Sequence, residues 1–443
     1  MVAITTARPQ VHLVEDAGEL TLLHGDVPVP VNHTHTRVLI IGGGVTGLTA
    51  SVFAFHSQTR DLMQYHLQTA WALLDAGYSV TVVSERWAST EERITSQIAG
   101  ALWEWPPAVC GRHTDLVSLA LSKRWCMTSY RVFERLQRLL PAESHGVRMR
   151  VANFFFDQPI EHNPEEFEKM CEIDAEKIRG FERNASLVLR HNINRSAGVV
   201  DAYKHVSPVV DTDAYMTWLR AVVACKGCRF ETRRICGDLL DLEDELLDSY
   251  TAQVIVNCTG LGAWDLASDK TVYPLRGALI RVVNDGSKFP LVKEALVVAH
   301  DHAKREEDGG IVFIVPRNDR TLILGGIAQA NETTLDLTLD SPEIRRMRER
   351  CNRFVPGLSN AELDPVAPLV QGLRPCRGQN VRVERELRRK YDGSFSAIIH
   401  SYGQGGSGFT LSFGCAGDVL QLVREVEARV PPTPMKAHMA QDQ

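Results

Sequence analysis

Two glycine-rich segments hold the residue types and spacings from which chemistry can be inferred first. The earlier one, residues 42–47, follows the apolar run 37–41 and places Gly42, Gly44 and Gly47 in the spacing Gly-x-Gly-x-x-Gly. Glycine at these positions removes the Cβ that would hold the backbone away from a pyrophosphate, and the next helix points its first N–H groups at that phosphate. The segment therefore predicts a dinucleotide-binding site, with a ligand-free glycine turn as the alternative.

The later segment, residues 403–408, places four glycines ahead of an apolar helix. The positive N-terminal end of such a helix can face the pyrimidine edge of a flavin and stabilise the negative charge that reduction places there. A plain glycine loop before a helix is the alternative. Together the two segments favour a large cofactor that contacts distant parts of the chain.

Strands and helices must bring these segments together. Residues 37–41 predict a strand buried on both faces, residues 69–77 a crossover helix, and residues 78–83 a second strand followed by Glu85, whose carboxylate suits a ribose hydroxyl. Residues 254–260 predict a further buried strand of the same sheet. The remaining predicted elements are helices at 115–133, 161–183, 209–227 and 341–354 and strands at 228–233, 277–283, 311–315 and 321–324. The later strands indicate a mostly antiparallel second unit.

Residues 50–68 exceed what a βαβ unit needs between its first helix turn and its crossover helix. Nineteen added helical residues would rotate the apolar face by about a quarter turn and lengthen the helix by ~28 Å, so a continuous helix would miss the second strand. We expect the segment to bulge outward. It is either a lid or partner loop, or an accidental insertion such as a translated intron that disturbs the pyrophosphate site.

Composition and charge exclude several classes of protein. The chain has 443 residues, 44% hydrophobic and 23% charged, and its formal charge of −6 offers no electrostatic surface for nucleic acid or an acidic membrane. Ten scattered cysteines indicate a reducing compartment. The pair Cys225 and Cys228 has no second pair or nearby histidine, so we interpret it as a helix-to-strand turn, and no metal site is predicted. Residues 38–55 lack charge but are too glycine-rich for a membrane span.

Several motifs occur in an order that resembles the FAD-dependent D-amino acid oxidases, a family that includes D-aspartate oxidase. The motifs lie at residues 42–49, 95–103, 256–260, 276–277, 372–375, 381–386 and 402–410, and the resemblance spans about residues 37–425 apart from the insertion. It implies FAD as the cofactor and an amino acid and dioxygen as the substrates. The implied reaction transfers the α-hydrogen as hydride to flavin N5 and yields a 2-oxo acid, ammonia and hydrogen peroxide.

The resemblance also implies roles for individual residues. Arg374 falls where the family binds the substrate α-carboxylate, which suits the two parallel donors of a guanidinium, although an ion pair with Glu384 is an alternative. Phe313 and Gly406 fall beside it, at the substrate side of the ring. The implied cofactor-binding residues are Gly42, Gly44, Val45, Thr46, Gly47, Glu85, Arg86, Thr95, Ser96, Gly100, Ala101, Leu102, Ile235, Thr259, Gly405, Gly406, Ser407, Gly408, Phe409 and Thr410.

The chain departs from the family pattern at the substrate side. Phe313 replaces a tyrosine whose hydroxyl helps to bind the carboxylate, and the loss of such a bond costs about 1–2 kcal/mol. Gly309 and Gly310 stand where a mobile tyrosine is expected, Ser407 replaces a ring-proximal tyrosine, and Glu104 replaces an amide. The substrate is therefore bulkier than alanine or modified, and Glu104 favours a cationic side chain. Two alternatives stay open: oxidation of a secondary amine, or a flavoprotein whose catalysis the 50–68 insertion impairs.

The expected fold is α/β, with a Rossmann-type FAD-binding domain built on a parallel sheet and a mostly antiparallel α+β substrate domain. The expected division is an N-terminal arm at 1–36, FAD-binding parts at 37–103, 205–274 and 395–430, substrate-domain parts at 104–204 and 275–394, and a tail at 431–443. We expect an intracellular protein, cytoplasmic or peroxisomal, although the chain does not end in a Ser-Lys-Leu type signal. A homodimer is one option for the oligomeric state, which the sequence does not decide.

Overall fold

The computed structural model describes residues 11–16, 19–24, 35–45, 68–107, 113–298 and 311–435. Its strands are β1 (Val11–Asp16), β2 (Glu19–His24), β3 (Arg37–Ile41), β4 (Ser79–Ser84), β5 (Val147–Phe156), β6 (Glu182–Arg183), β7 (Asp201–Val210), β8 (Arg229–Thr232), β9 (Val254–Asn257), β10 (Val272–Val283), β11 (Ala295–Val298), β12 (Val312–Pro316), β13 (Thr321–Gly325), β14 (Gln329–Ala330), β15 (Leu369–Arg377), β16 (Arg382–Arg385) and β17 (Ile398–Tyr402). Its α-helices are α1 (Gln68–Asp75), α2 (Thr95–Ile98), α3 (Leu116–Leu139), α4 (Ala142–His145), α5 (Pro164–Ala175), α6 (Leu187–Arg190), α7 (Thr212–Cys225), α8 (Leu239–Tyr250), α9 (Ala263–Leu266), α10 (Pro342–Phe354) and α11 (Gly408–Glu427).

A six-stranded sheet in the order β16-β17-β9-β3-β4-β8 carries the first glycine segment. All pairs are parallel except β16 with β17. Strand β3 lies at the centre, and four of its five residues are buried, because helices cover a parallel sheet on both faces. Ile41 at its end pairs with Asn257 of β9 and Val83 of β4, so three strands end together where the first glycine segment begins.

The second sheet has nine strands, in the order β14-β10-β13-β12-β11-β5-β7-β6 with β15 also paired to β10. Its pairs are antiparallel apart from β11 with β5. The expected combination of a parallel sheet and a mostly antiparallel sheet is therefore confirmed. Strand β15 runs beside β10 over nine residue pairs, which fixes the position of any side chain on β15 relative to this sheet.

The helices predicted at 115–133, 209–227 and 341–354 are present as α3, α7 and α10, whereas only Pro164–Ala175 of the helix predicted at 161–183 is α-helical and its end, Glu182–Arg183, is strand β6. Helix α3 begins after Asp115, whose carboxylate accepts from the Ser118 N–H at 2.9 Å, a standard N-cap. Helices α5 and α10 each begin with a proline, whose missing N–H costs nothing at that position. Cys225 ends α7 and Cys228 directly precedes β8, so this pair lies in the predicted helix-to-strand turn. None of the helices in the described ranges is long and apolar enough to cross a membrane.

Residues 1–36 contain more regular structure than the predicted arm. Strands β1 and β2 form an antiparallel hairpin, and its apolar residues Val11, Leu13, Leu20 and Leu22 are buried. Apolar and polar residues alternate over 11–13 and 19–22, which is the period of a strand and not of a helix, so a search for helical period misses both strands. The hairpin packs on the helix layer formed by α1, α3 and α11.

Candidate functional site

The chain leaves β3 through a glycine that no other residue could replace. Gly42 has a φ of +119°, and a Cβ added there would lie 2.5 Å from the backbone O of Cys258. The Gly42 N–H donates to the O of Val83 at 2.9 Å. The loop is therefore wedged between the ends of β9 and β4, and its backbone is open to the cleft beyond the sheet.

The rest of this loop reaches a neighbouring helix. Gly44 and Val45 line the cleft, and the Val45 N–H donates to Ser96 Oγ at 2.8 Å. Thr46, Gly47 and the insertion predicted at 50–68, except Gln68, lie outside the described residues. The structure thus places the first part of the Gly-x-Gly-x-x-Gly segment and the helix α2 residue Ser96 on one wall.

The cleft has two lobes that meet at this loop. The outer lobe lies between the loop, the end of β4, and the chain that follows β8 and β9. It is lined by Ile41, Gly42, Val83, Ser84, Glu85, Arg233, Arg234, Ile235, Cys236, Gly237, Asp238, Thr259, Gly262, Asp265, Leu266, Ser268 and Lys270. The inner lobe lies between the loop, α2, the start of α11 and the nine-stranded sheet. A long two-part ligand bent around the glycine loop would occupy both.

Besides Gly42, three of the predicted residues line the outer lobe. They are Glu85, Ile235 and Thr259, and the Glu85 carboxylate lies 3.7 Å from Arg234. Thr259 is held because its N–H and hydroxyl both donate to Asn257 Oδ1, at 3.1 and 2.8 Å. A carboxylate and a fixed hydroxyl at the ends of β4 and β9, the two strands that flank β3, suit the ribose of a nucleotide.

Arg86, which was also predicted to bind the cofactor, lies outside the two lobes. Its guanidinium pairs with Glu92 at 3.1 Å, and it is not among the described residues that line either lobe. The basic residues Arg233, Arg234 and Lys270 of the outer lobe were not predicted. They come from loops after β8 and β9, where no motif marks them, and only their strand order brings them together.

Residues 95–102 form one wall of the inner lobe. Thr95, Ser96, Gly100, Ala101 and Leu102 all line it, as the family resemblance implies. After α2 the chain joins the edge of β7, through a Leu102 to Val209 bridge and hydrogen bonds between Trp103 N–H and Pro208 O (2.9 Å) and between Val210 N–H and Ala101 O (3.0 Å).

A buried arginine that no motif predicted holds this wall in place. The Arg317 guanidinium donates to the backbone O atoms of Gln97 and Ala99 and to Thr212 Oγ1. These carbonyls lie at the end of α2, where a helix lacks internal donors. Burial lowers the pKa of Arg317 to about 10, which still leaves it charged at neutral pH.

The second glycine segment forms the opposite wall. Residues 405–410 line the inner lobe, and Ser407 is the N-cap of the 20-residue helix α11 without a side-chain cap hydrogen bond. The first N–H groups of α11 therefore point their partial positive charge into the lobe. The loop is fixed from outside by the Gly405 N–H, which donates to Pro375 O at 3.0 Å.

Arg374 reaches the inner lobe from β15. It pairs in register with Leu275 of β10, and its Nη1 donates to the O of Ile327 at 2.9 Å. Glu384, the alternative partner considered from the sequence, pairs with Arg382 at 2.8 Å instead. The guanidinium thus lines a cavity with donor capacity left for a carboxylate.

The floor of the inner lobe is apolar and tightly fitted. Phe313 on β12 lies so close to Gly100 that a Cβ on that glycine would be 2.6 Å from the ring. Gly406, predicted beside the ring of the cofactor, lines the same lobe. Gly309 and Gly310 lie outside the described residues.

The residues present fit a flavin dinucleotide. The cleft offers a nucleotide lobe with a carboxylate, a glycine turn that a Cβ would fill, and a second lobe that faces a helix N-terminus. Within the described ranges, no three His, Cys, Asp or Glu side chains are grouped closely enough to hold a metal ion. The arrangement supports redox chemistry on an organic cofactor beside an arginine that lines the same lobe.

Comparisons with known proteins agree with this geometry. Residues 67–422 match the family model described as DAO, FAD dependent oxidoreductase. The chain is 27% identical over 387 residues to a D-amino-acid oxidase of Dictyostelium discoideum, covering 87% of this chain and 91% of that protein. It is 29% identical over 387 residues to a D-amino-acid oxidase of Streptomyces coelicolor, covering 87% and 96%.

A solved structure shows the same fold. The crystal structure of iminodiacetate oxidase from Chelativorans sp. matches with a TM-score of 0.60 and 16% sequence identity, and the match covers 90% of this chain and 98% of that one. At this identity the likeness supports the architecture and leaves the substrate open.

Proposed function

Because this chain belongs to the family of FAD-dependent oxidoreductases that the DAO model describes, we propose that it oxidises D-amino acids. FAD is its cofactor. The overall reaction converts a D-amino acid, water and dioxygen into a 2-oxo acid, ammonia and hydrogen peroxide. The proposal rests on the position of the Arg374 guanidinium, which lines the inner lobe across from the start of α11. The relatives in Dictyostelium and Streptomyces support the choice of D-amino acids.

Bound FAD would supply the hydride acceptor and would pass the electrons on to dioxygen. The protein's own residues align the substrate for the reaction. Arg374 binds the α-carboxylate through parallel hydrogen bonds, so the α-hydrogen is held towards the flavin ring. Gly405, Gly406 and the first N–H groups of α11 present positive charge to the ring edge that becomes negative. No side chain has to transfer a proton, because the neutral α-amine supplies the electron pair that drives hydride departure.

We propose a role for each group of residues that lines the two lobes. We assign the outer lobe, with Glu85, Ile235 and Thr259, to the adenosine half of FAD, and the loop at Gly42 to the pyrophosphate. The wall at 95–102 and the segment 405–410 would hold the flavin half. Phe313 would form the floor under the substrate.

A peroxide assay with the purified holoenzyme tests the proposal. We expect hydrogen peroxide from some D-amino acids and none from their L-enantiomers. Arg374→Ala should lower kcat/KM by about 100-fold or more, because a charge-assisted bidentate contact is lost, while the flavin content stays unchanged. Arg345→Ala is the matched control, since Arg345 pairs with Asp340 at the exposed surface of α10. Full activity of Arg374→Ala would contradict the proposed role.

Oxidation of a secondary amine is the second candidate. It is favoured by Gly326, which lines the inner lobe and has room for one more methyl group, because an added Cβ would meet Ile311 Cγ2 at 3.8 Å, an ordinary van der Waals distance. An N-methyl amino acid that yields peroxide faster than the parent D-amino acid would favour this candidate. A purified protein without the visible spectrum of a bound flavin would instead favour the impaired flavoprotein.

A further inference from the structure

Two charged side chains line the inner lobe. Among the described lining residues, Arg374 is the cation and Glu104 is the anion. The others are glycine, alanine, proline, hydroxyl, amide or apolar residues, and the apolar ones include Ile94, Ile98, Leu279, Val297, Ile311 and Phe313. One α-carboxylate satisfies Arg374 and leaves Glu104 in apolar surroundings.

Arg374 and Glu104 reach the lobe from different parts of the sheet. Arg374 stands on β15, which pairs with β10, whereas Glu104 follows directly after Trp103, whose N–H bonds to Pro208 of β7. In the sheet order, β13, β12, β11 and β5 separate β10 from β7. The apolar floor formed by β11 and β12 therefore lies between the two charges, as it would in a site that binds the two ends of one ligand.

The Glu104 carboxylate has no partner within the described part of the chain. Its backbone O accepts from Cys126 Sγ at 3.6 Å, but no hydrogen bond or ion pair reaches its side chain. Burial raises its pKa, and the nearby charges of Lys169 and Glu166 act in opposite directions. Lys169 itself donates to Pro107 O at 3.3 Å and lies 3.9 Å from Glu166. Glu104 is half-buried on the wall of the lobe, so a ligand that displaces water there must supply a donor to its carboxylate or leave it unpaired at a cost in free energy.

We propose that the cleft selects an amino acid whose side chain ends in a cation, with the α-carboxylate on Arg374 and the side-chain cation on Glu104. This inference rests on the proposed function, because it names the substrate class of the same site. A cation also needs Glu104: an ammonium or guanidinium entering the apolar lobe loses its hydration and regains that energy only beside a carboxylate. The competing assignment, in which Glu104 binds the α-ammonium, would give no preference among side chains.

Calorimetry on the holoenzyme with two ligands that cannot react tests the inference. The ligands are 6-aminohexanoate, which is lysine without its α-amino group, and hexanoate, which lacks both amino groups. We expect 6-aminohexanoate to bind about 10- to 100-fold more tightly, the range for a hydrogen bond to a charged group. In Glu104→Gln the ratio should fall to one or below. Equal affinities, or tighter binding of hexanoate, in the unaltered protein would overturn the proposal.

A matched variant tests whether the Glu104 carboxylate itself, and not the electrostatic effect of other carboxylates nearby, causes the preference for 6-aminohexanoate. Glu166→Gln removes a carboxylate that acts on Glu104 electrostatically but does not line the lobe. We expect it to retain the preference for 6-aminohexanoate. If Glu166→Gln abolishes the preference and Glu104→Gln does not, the assignment of Glu104 is wrong.

The peroxide assay tests the two proposals separately. With D-lysine and D-norleucine, we expect faster oxidation of D-lysine, and Glu104→Gln should lower kcat/KM for D-lysine about 10- to 100-fold with little effect on D-norleucine. Equal loss with both substrates would instead place the α-ammonium on Glu104 and overturn the inference. Absence of peroxide from every D-amino acid, combined with preferential binding of 6-aminohexanoate, would refute the proposed reaction and support the charge selection.

Discussion

The guanidinium of Arg374 lies directly over the backbone of Gly277. A Cβ added to Gly277 would come within 2.5 Å of Cζ and both terminal nitrogens of Arg374. Gly277 pairs in register with Gly372 across β10 and β15, so the side chain of Arg374 crosses a strip of sheet without side chains. The glycine therefore determines how the arginine reaches the inner lobe.

Replacement of Gly277 by alanine should displace Arg374. We expect Gly277→Ala to lower kcat/KM for amino acids by about 10- to 100-fold, because a shift of about 1 Å in a positioning group can cost that much. Flavin content should remain normal, since Gly277 lies on the substrate side. Steady-state kinetics and the visible flavin spectrum provide the two measurements.

Gly417→Ala in α11 is the matched control for this change. A Cβ there would meet Leu20 Cγ at 3.4 Å, an ordinary van der Waals contact. This variant should keep its activity and gain a few tenths of a kcal/mol to about 1 kcal/mol in helix stability. An unchanged kcat/KM in Gly277→Ala would show that Arg374 does not depend on this glycine.

Gly42→Ala should lower the amount of flavin that the protein binds. The activity of the molecules that still contain flavin should change less. The φ of +119° is outside the range of residues with a Cβ, and the Cβ would clash with the Cys258 carbonyl. We expect the loop to shift away from its position between β9 and β4, with loss of most bound flavin after purification. The ratio of flavin to protein absorbance measures this loss.

Gly227→Ala isolates the effect of backbone strain. Gly227 also has a positive φ, +93°, but an added Cβ there would meet nothing within 4 Å. It lies in the turn between α7 and β8. We expect a loss of about 1 kcal/mol in stability with full flavin content; equal flavin loss in both variants would mean that strain and not the clash is responsible.

His205 makes the stability depend on pH. Burial lowers its pKa to about 4, and its Nδ1 bonds to Ser207 Oγ at 3.0 Å while Nε2 has no hydrogen-bond partner among the described residues. The unfolded chain, with an ordinary pKa near 6.5, takes up a proton first as the pH falls, so the free energy of unfolding decreases. Between pH 7.5 and 5 this residue should cost about 2 kcal/mol.

His205→Phe should reduce that pH dependence. Phenylalanine keeps the stacking with Phe154 and has no proton to bind. Urea unfolding of the variant at pH 7.5 and 5 should show a loss that is smaller by about 2 kcal/mol than in the unaltered protein. His162→Phe, at an exposed position, is the control and should leave the pH profile as it was. Identical slopes in both variants would exclude His205 as the source.

Asp75 ties the N-terminal hairpin to the helix layer. Its buried carboxylate accepts from Lys226 Nζ at 2.6 Å and from Trp71 Nε1 and the Leu13 N–H, each at 2.7 Å. Asp75→Asn keeps an acceptor for the N–H groups but leaves the buried ammonium of Lys226 without its counter-charge. We expect a loss of about 3 kcal/mol in the free energy of unfolding, measured by urea titration.

The double variant Asp75→Asn/Lys226→Met should recover much of this loss, because the buried cation is then also absent. Lys226→Met alone leaves the carboxylate unpaired and should be destabilising as well. If the two single changes are additive in the double variant, Asp75 and Lys226 do not act as a pair.

Local sequence patterns were enough to predict the elements that carry the two glycine segments and the kind of cofactor that they bind. The spacing of Gly42 and Gly44 after a buried strand, and the glycines before α11, follow from local backbone requirements that each segment meets alone. The helix α3 with its Asp115 cap is local in the same sense. For this reason both glycine segments were predicted at the correct elements.

Which side chains meet depends on how distant segments pack in the folded chain. The packing of β1 on α1, the capping of α2 by Arg317, the position of Arg374 over Gly277 and the opposed charges of Arg374 and Glu104 all join segments separated by at least about 50 residues. Such contacts depend on strand order and register, because Arg374 on β15 and Glu104, which adjoins β7 through Trp103, reach the same cavity only after the strands between them have paired. Local sequence patterns carry no record of that order, so the placement of Arg374 and Glu104 on one cavity becomes visible only in the folded chain.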